Sequence, residues 1–270
     1  MGANSAERKT PARWPLELAL NHPGRCPYRV VIVIHFPLSV KQYAQADICP
    51  GRAIPLPEWC PHPECQAPNR LIRWGTYHRW ACTEAGDYRL CIQRVRCQGC
   101  GRTHSLLPDF LHPYRHYVLA LLHQVAWLYV IVGLGFGRLI EQLPENGPAL
   151  TTVREWVRAF AYGAGQLLLP VLVRSVLRLA PQSDLPETTP LHLERSRPPQ
   201  QQWLKQAYQF WRGAEHLYAQ VKERQPQLTF TVQTLFPFLL HWLQAQALPP
   251  RLFWSPALPT TPRQPFPVTV

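Results

Sequence analysis

Two close cysteine pairs constrain this chain more than anything else in it. Cys60 and Cys65 are separated by four residues, Cys97 and Cys100 by two, and 31 residues lie between the pairs. Those residues contain two alternating stretches, IRWGTYHRW at 72–80 and YRLCIQRVR at 88–96, on either side of TEAGD at 83–87. That is the pattern of a β-hairpin with a glycine-containing turn. A hairpin brings its two ends together. Each cysteine pair then sits on a tight turn, and four thiolates can surround one ion tetrahedrally at about 2.3 Å. Gly99 inside the second pair and Gly101 just after it supply the backbone freedom such a turn needs. The spacing predicts a zinc ribbon with one structural Zn²⁺ held by Cys60, Cys65, Cys97 and Cys100.

The same cysteines admit two other readings: a disulfide pair, or a C-x-x-C redox site. The first needs an oxidising compartment and the second a thioredoxin-like βαβ pattern. Neither context is visible here. A catalytic ion keeps an open position, with three protein ligands, and four cysteines close the shell. His62, His78 and His104 lie near enough to replace a cysteine, although surface or supporting roles are expected of them. Cys26, Cys49, Cys82 and Cys91 lack a paired spacing and read as core filling.

Arginine recurs through the same segment at positions 70, 73, 79, 89, 94, 96 and 102, interleaved with Trp74, Tyr77, Trp80 and Tyr88. Strand alternation sends Arg94 and Arg96 to one face, with Arg102 beyond the second cysteine turn, an arrangement suited to phosphate contacts. A plainer role is to offset four thiolates around Zn²⁺, a net charge of about −2, which needs only some of the seven. The whole chain leans the same way. It carries 28 Lys plus Arg against 16 Asp plus Glu, a net charge of +12, and all but four of the cations are arginine. Guanidinium forks suit phosphate and guanine, so duplex DNA is the expected partner.

Before the ribbon, RVVIVIHF at 29–36 reads as a buried strand between Pro27 and Pro37. A short helix capped by Ser39 follows, with Val40 and Tyr43 on one face. After Pro113 the pattern turns helical, over residues 114 to about 131, near 137–142, and from Thr151 or Thr152 onward. There Thr152 and Glu155 match a capping box, and Val153, Trp156, Val157 and Phe160 form a one-sided apolar stripe. Arg154 and Arg158 lie off that stripe. A short helix presenting outward arginines after two others is how a helix-turn-helix offers its recognition helix, although the eight-residue loop before it is long and a solvated face is the bland alternative. Further helices are expected at 164–179, kinked or divided by Pro170, at 201–223 and at 228–247.

Proline makes up 30 of 270 residues and crowds into 181–199 and 249–267, marking a linker and a tail. The expected fold class is α+β: a small N-terminal β segment and zinc ribbon, then a mainly α-helical, helix-turn-helix-like region. The expected divisions are a flexible N-terminus at 1–28, a strand–helix lead-in at 29–58, the ribbon at 59–112 and the helical domain at 113–180. A linker at 181–200, C-terminal helices at 201–248 and a tail at 249–270 complete the chain.

VIVIHFPLSVKQYA at 31–44, WCPHPEC at 59–65, WGTYHRW at 74–80 and IQRVRCQGCGRTHSLLPDFLHPY at 92–114 together resemble an uncharacterised bacterial family, domain of unknown function 6431. Its members look like the zinc-ribbon and helix-turn-helix front end of insertion-sequence transposases. The similarity runs in order over about residues 30 to 117 and more weakly to about 160. It implies Cys60, Cys65, Cys97 and Cys100 as zinc ligands and places TTVREW at 151–156 where such proteins carry a recognition helix. The four-residue spacer in the first pair departs from the usual C-x-x-C. Residues from about 181 onward resemble nothing known.

These readings predict a DNA-binding protein of mobile-element ancestry without catalytic activity of its own. A transposase or nuclease needs acidic residues for two metal ions, and the only aspartates are Asp47, Asp87, Asp109 and Asp184, none on a clear apolar strand. A zinc-stabilised protein-interaction module, with a transposase or recombinase as partner, is the third class. No secretory leader opens the sequence, so a cytoplasmic location is expected. Residues 117–136 are apolar but carry His123 and Gln124 mid-run, which reads as a buried helix rather than a membrane span.

Overall fold

Four β-branched residues in a row form β1, Val31–Ile34. The computed structural model describes residues 31–62, 64–65, 67–179, 181, 190–195, 200–224, 235–246 and 248–254. The expected flexible N-terminus, Cys26 and most of both proline-rich stretches fall outside them. After β1 comes α1, Val40–Ala44, started by a full capping box: Ser39 Oγ accepts from the Gln42 amide, and the Gln42 side chain accepts from the Ser39 amide. Tyr43 is buried, on the face predicted for it.

The predicted hairpin is present as β2, Leu71–Thr83, and β3, Gly86–Cys97, paired antiparallel from Leu71↔Cys97 to Thr83↔Gly86. A bulge interrupts the register between Arg73 and Gly75. A strand that the sequence did not announce, β4 at Thr103–Pro108, pairs antiparallel with the base of β3 and parallel with β1. The sheet order is therefore β1-β4-β3-β2. Where β4 stops, the exposed edge of β3 is covered instead by Tyr43 Oη and Cys49 Sγ. Both donate to the Cys91 carbonyl, at 2.9 and 3.0 Å. Leu90, Ile92 and Leu107 pack with Phe36, Tyr43 and Leu111 on one side of the sheet. On the other, Ile32, Leu71, Val95 and Leu106 pack around Cys60 and Cys97.

The helices are α2, Leu119–Val130; α3, Phe136–Glu141; α4, Leu150–Phe160; α5, Leu169–Leu179; α6, Gln200–Arg224; and α7, Leu235–Ala245. They share one core, in which the predicted stripe of Val153, Trp156, Val157 and Phe160 is buried against Phe210, Trp211, Phe236 and Phe253. The protein is thus α+β, and α6 and α7, expected beyond a linker, belong to the same core as α2 and α4.

Three local expectations need correction. First, α2 starts at Leu119 rather than 114, because Tyr114 has a positive φ of 65° and residues 117 and 118 make bridges to Cys82 and Leu111. Second, the Thr152–Glu155 capping box does not form. Pro148 is buried, Ala149 is the extended N-cap without a side-chain cap, and the Val153 amide donates to the Ala149 carbonyl at 3.0 Å, so the helix starts earlier. Third, Pro170 does not divide its helix. A π-helical stretch, Ala161–Leu168, joins α4 to α5 just before it, and wider turns accommodate a residue that lacks the amide proton for a normal helical bond.

Sheet and helices are tied by specific bonds. The Val33 amide donates to Gln244 Oε1 at 2.7 Å. Asp109, buried at the end of β4, lies 2.9 Å from His35 Nδ1 and 3.4 Å from His241 Nε2. Among the described residues only the continuous helix Leu150–Leu179 is long and apolar enough to cross a membrane, which core helices also achieve. At twelve residues α2, the apolar segment noted in the sequence, is too short for a span of about 20.

Candidate metal centre and basic surface

The first cysteine turn is closed by its own backbone. The Cys60 amide donates to the Ala67 carbonyl at 3.1 Å, and the Cys65 amide to the His62 carbonyl at 2.9 Å. The second turn forms as β3 ends. Gly101, at φ +71°, lets its amide return to the Cys97 carbonyl at 2.8 Å, while the Cys97 amide reaches the Arg102 carbonyl at 2.9 Å. A side chain at Gly99 would start 3.1 Å from Ala67 Cβ and 3.4 Å from Cys65 Sγ, so glycine there lets the two turns face each other closely.

The four sulfurs all lie within 4.8 Å of one another. Cys60 and Cys100 are 3.8 Å apart at Sγ, Cys65 and Cys97 3.7 Å. A tetrahedron with 2.3 Å metal–sulfur bonds has an edge of about 3.8 Å, so these residues fit one tetrahedral ion. Cys60 and Cys97 are buried and the other two half-buried. Burial pushes the thiols of Cys60 and Cys100 above the usual range. At Cys97 burial acts the same way but is outweighed by the amides of Cys100 and Gly99, which bring it down to about 7. Two backbone donors therefore already favour a thiolate at the head of the second turn.

Of the three nearby histidines, His104 is buried with Nε2 3.6 Å from Cys60 Sγ, behind the cluster. His62 is buried too, and burial together with the Arg102 charge holds its pKa down. His78 is exposed. Cys49 is buried and bonded to the Cys91 carbonyl, while Cys82 and Cys91 are half-buried, and none of these joins the four-sulfur group.

The register places Arg94 opposite Ser105 and Arg96 opposite Thr103, so the two arginines share one face, both half-buried. The Arg96 guanidinium lies 4.7 Å from the centre of the Trp74 ring. Arg102 is exposed beyond the second turn. Arg79, opposite buried Leu90, is not on that surface. It turns in to bond the carbonyls of His112, at 3.3 Å, and Arg115, and burial lowers its pKa. Arg154 and Arg158 are both exposed on α4, in the helical part of the molecule rather than on the sheet. Arg154 rests 5.5 Å from the Phe136 ring of α3. The link from Asp109 to His35 and His241 was not visible in the sequence, where nothing local relates the three.

Residues 60–128 match a family described as a domain of unknown function (DUF6431). The match starts at the first cysteine of the cluster and takes in all four, the hairpin, β4 and most of α2. No curated protein and no solved structure matches the chain.

Proposed function

We propose that this chain is a zinc-dependent DNA-binding protein of mobile-element ancestry. In this reading Cys60, Cys65, Cys97 and Cys100 hold one structural Zn²⁺, which fixes the base of the hairpin as a zinc ribbon and has no open position for a substrate. Arg94, Arg96 and Arg102 contact backbone phosphates of duplex DNA. The α3–loop–α4 unit acts as a helix-turn-helix, with Arg154 and Arg158 aimed at the major groove. The protein works in the cytoplasm and supplies recognition rather than chemistry, to a partner such as a transposase or recombinase. The ancestry rests on the resemblance over residues 30–117.

One observation carries the DNA reading. Arg94 and Arg96 share one sheet face while Val95 and Cys97 turn to the other, towards the metal centre, and the sequence from Cys65 to Thr83 and from Tyr88 to Pro108 contains no acidic residue. A cationic stretch of this kind attracts a polyanion at long range. Zinc sharpens the effect by holding the cations in fixed positions.

Substitution separates the two surfaces. Arg94→Ala or Arg96→Ala should lower affinity for every duplex alike, as loss of a phosphate contact does. Arg154→Ala or Arg158→Ala should chiefly reduce preference for a selected site, by about 1–3 kcal/mol for a base-reading arginine. If all four variants bind selected and random duplexes as the parent does, the DNA reading is wrong, and a zinc-stabilised protein-interaction module takes its place.

A further inference from the structure

Among the described residues, core packing does not account for Trp74. It is 53% exposed and belongs to none of the three buried clusters. The bulge between Arg73 and Gly75 inserts it as an extra residue in the edge strand β2, and bulges commonly re-aim a side chain. Its ring is held by the Arg96 guanidinium, 4.7 Å from the centre. On the same face stand Arg94 and, on the neighbouring strand, the hydroxyls of Ser105 and Thr103.

We infer that this face binds an unpaired base of single-stranded DNA, stacked on Trp74, with Arg94 and Arg96 on the flanking phosphates and the hydroxyls of Ser105 and Thr103 beside the base edge. The inference rests on the nucleic-acid reading above and narrows its substrate. In a duplex the bases are stacked inside, and an indole lying on a sheet surface meets only sugar and phosphate. A single strand offers π-faces, and an exposed aromatic beside arginines on a sheet is what such strands use. The paired guanidinium serves twice. It orients the indole, and it puts a positive charge within one nucleotide of the stacked base. Charge complementarity favours this occupant over an apolar partner, since residues 65–83 and 88–108, which surround Trp74, include no acid. Stacking tolerates any base, so the patch discriminates paired from unpaired DNA rather than one sequence from another.

The test uses the full zinc-loaded chain and three labelled probes: an oligothymidine of about 12 nucleotides, a blunt duplex, and the same duplex with a single-stranded tail. The tailed duplex should bind more tightly than the blunt one, and the oligothymidine should quench tryptophan fluorescence. Trp74→Ala should weaken oligothymidine binding by about 5- to 100-fold, the effect of one stacked base, and abolish the advantage of the tail while sparing the blunt duplex. Trp74→Phe should restore most of it, and Trp80→Ala should change nothing. If Trp74→Ala retains zinc and binds all three probes as the parent does, the inference fails while the DNA reading stands. If the parent binds none of the probes, both fail. If Trp74→Ala does not retain zinc, the phenylalanine variant decides: oligothymidine affinity close to the parent's supports stacking, and equal affinity for tailed and blunt duplexes by the parent overturns it.

Discussion

The imidazole of His104 lies behind Cys60, with Nε2 3.6 Å from Sγ and both side chains buried. The register of β4 against β3 puts it there, opposite Val95. An N–H aimed at a thiolate spreads its charge and fixes its direction, and partners of this kind change metal affinity by about 10- to 100-fold. His104→Ala should therefore hold zinc about 10- to 100-fold more weakly in competition with a chelator. An unchanged affinity would reduce His104 to packing.

One zinc ion per chain is expected, because only one group of four sulfurs is brought together among the described residues. Cys60→Ser or Cys97→Ser should release it and unfold the hairpin base, since metal binding is much of the folding free energy of such a small element. Cys82→Ser, which leaves the cluster intact, should keep the metal. Elemental analysis of the three variants decides the ligand set, and zinc loss from Cys82→Ser would refute it.

The cluster was legible because its signals are local. Paired spacing, hairpin alternation, the Ser39 cap and the stripe on α4 can each be read within short stretches of sequence. The rest was hidden by distance. Val31 pairs with Ser105, and Asp109 meets His35 and His241 across 74 and 132 positions, contacts that no local pattern encodes. Arg79 misleads for a related reason. An arginine in the basic run reads as one more surface cation, but Arg79 sits opposite buried Leu90, and the backbone at 112–115 folds over it and offers two carbonyls. The Thr152 box misleads because the motif is present while buried Pro148 and the Ala149 carbonyl start the helix first.

Close packing at the π-helical stretch makes a second set of substitutions informative. A Cβ on Gly163 would run into the Leu252 carbonyl oxygen and come within 2.8 Å of that of Phe253, and one on Gly165 would meet the Trp203 carbonyl. Backbone cannot easily give way. Gly163→Ala should lower stability by about 3 kcal/mol or more, beyond the usual range for overpacking. Gly137→Ala, in α3 with open space around it, should be neutral or stabilising by up to about 1 kcal/mol. Thermal unfolding that ranks the two equally would contradict the packing described.

Acid should destabilise the helical core. His123 is stacked on Trp211 at 5.1 Å, and burial holds its pKa down to about 4; burial and the Arg115 charge bring His112 to about 3. The unfolded chain protonates first, near about pH 6.5. Stability from these residues is thus complete above that pH and falls as the pH drops towards their folded values. At pH 5 His123 alone costs about 1–2 kcal/mol. His123→Phe should remove that part of the slope between pH 7 and pH 5 in urea unfolding, with the cysteines unchanged. A slope identical to the parent's would show that His123 is not buried in its neutral form.

DNA binding by the zinc-loaded chain should depend steeply on salt, which affinity for duplex DNA measured across a range of salt concentrations reads out. Each arginine–phosphate contact releases about one counterion, so the logarithm of the binding constant should fall with the logarithm of salt by about 0.9 per contact. With Arg94, Arg96 and Arg102 engaged, the slope should be about −3 or steeper, made shallower by about one contact in Arg96→Ala. A flat response, or one that Arg96→Ala leaves unaltered, would contradict the DNA reading.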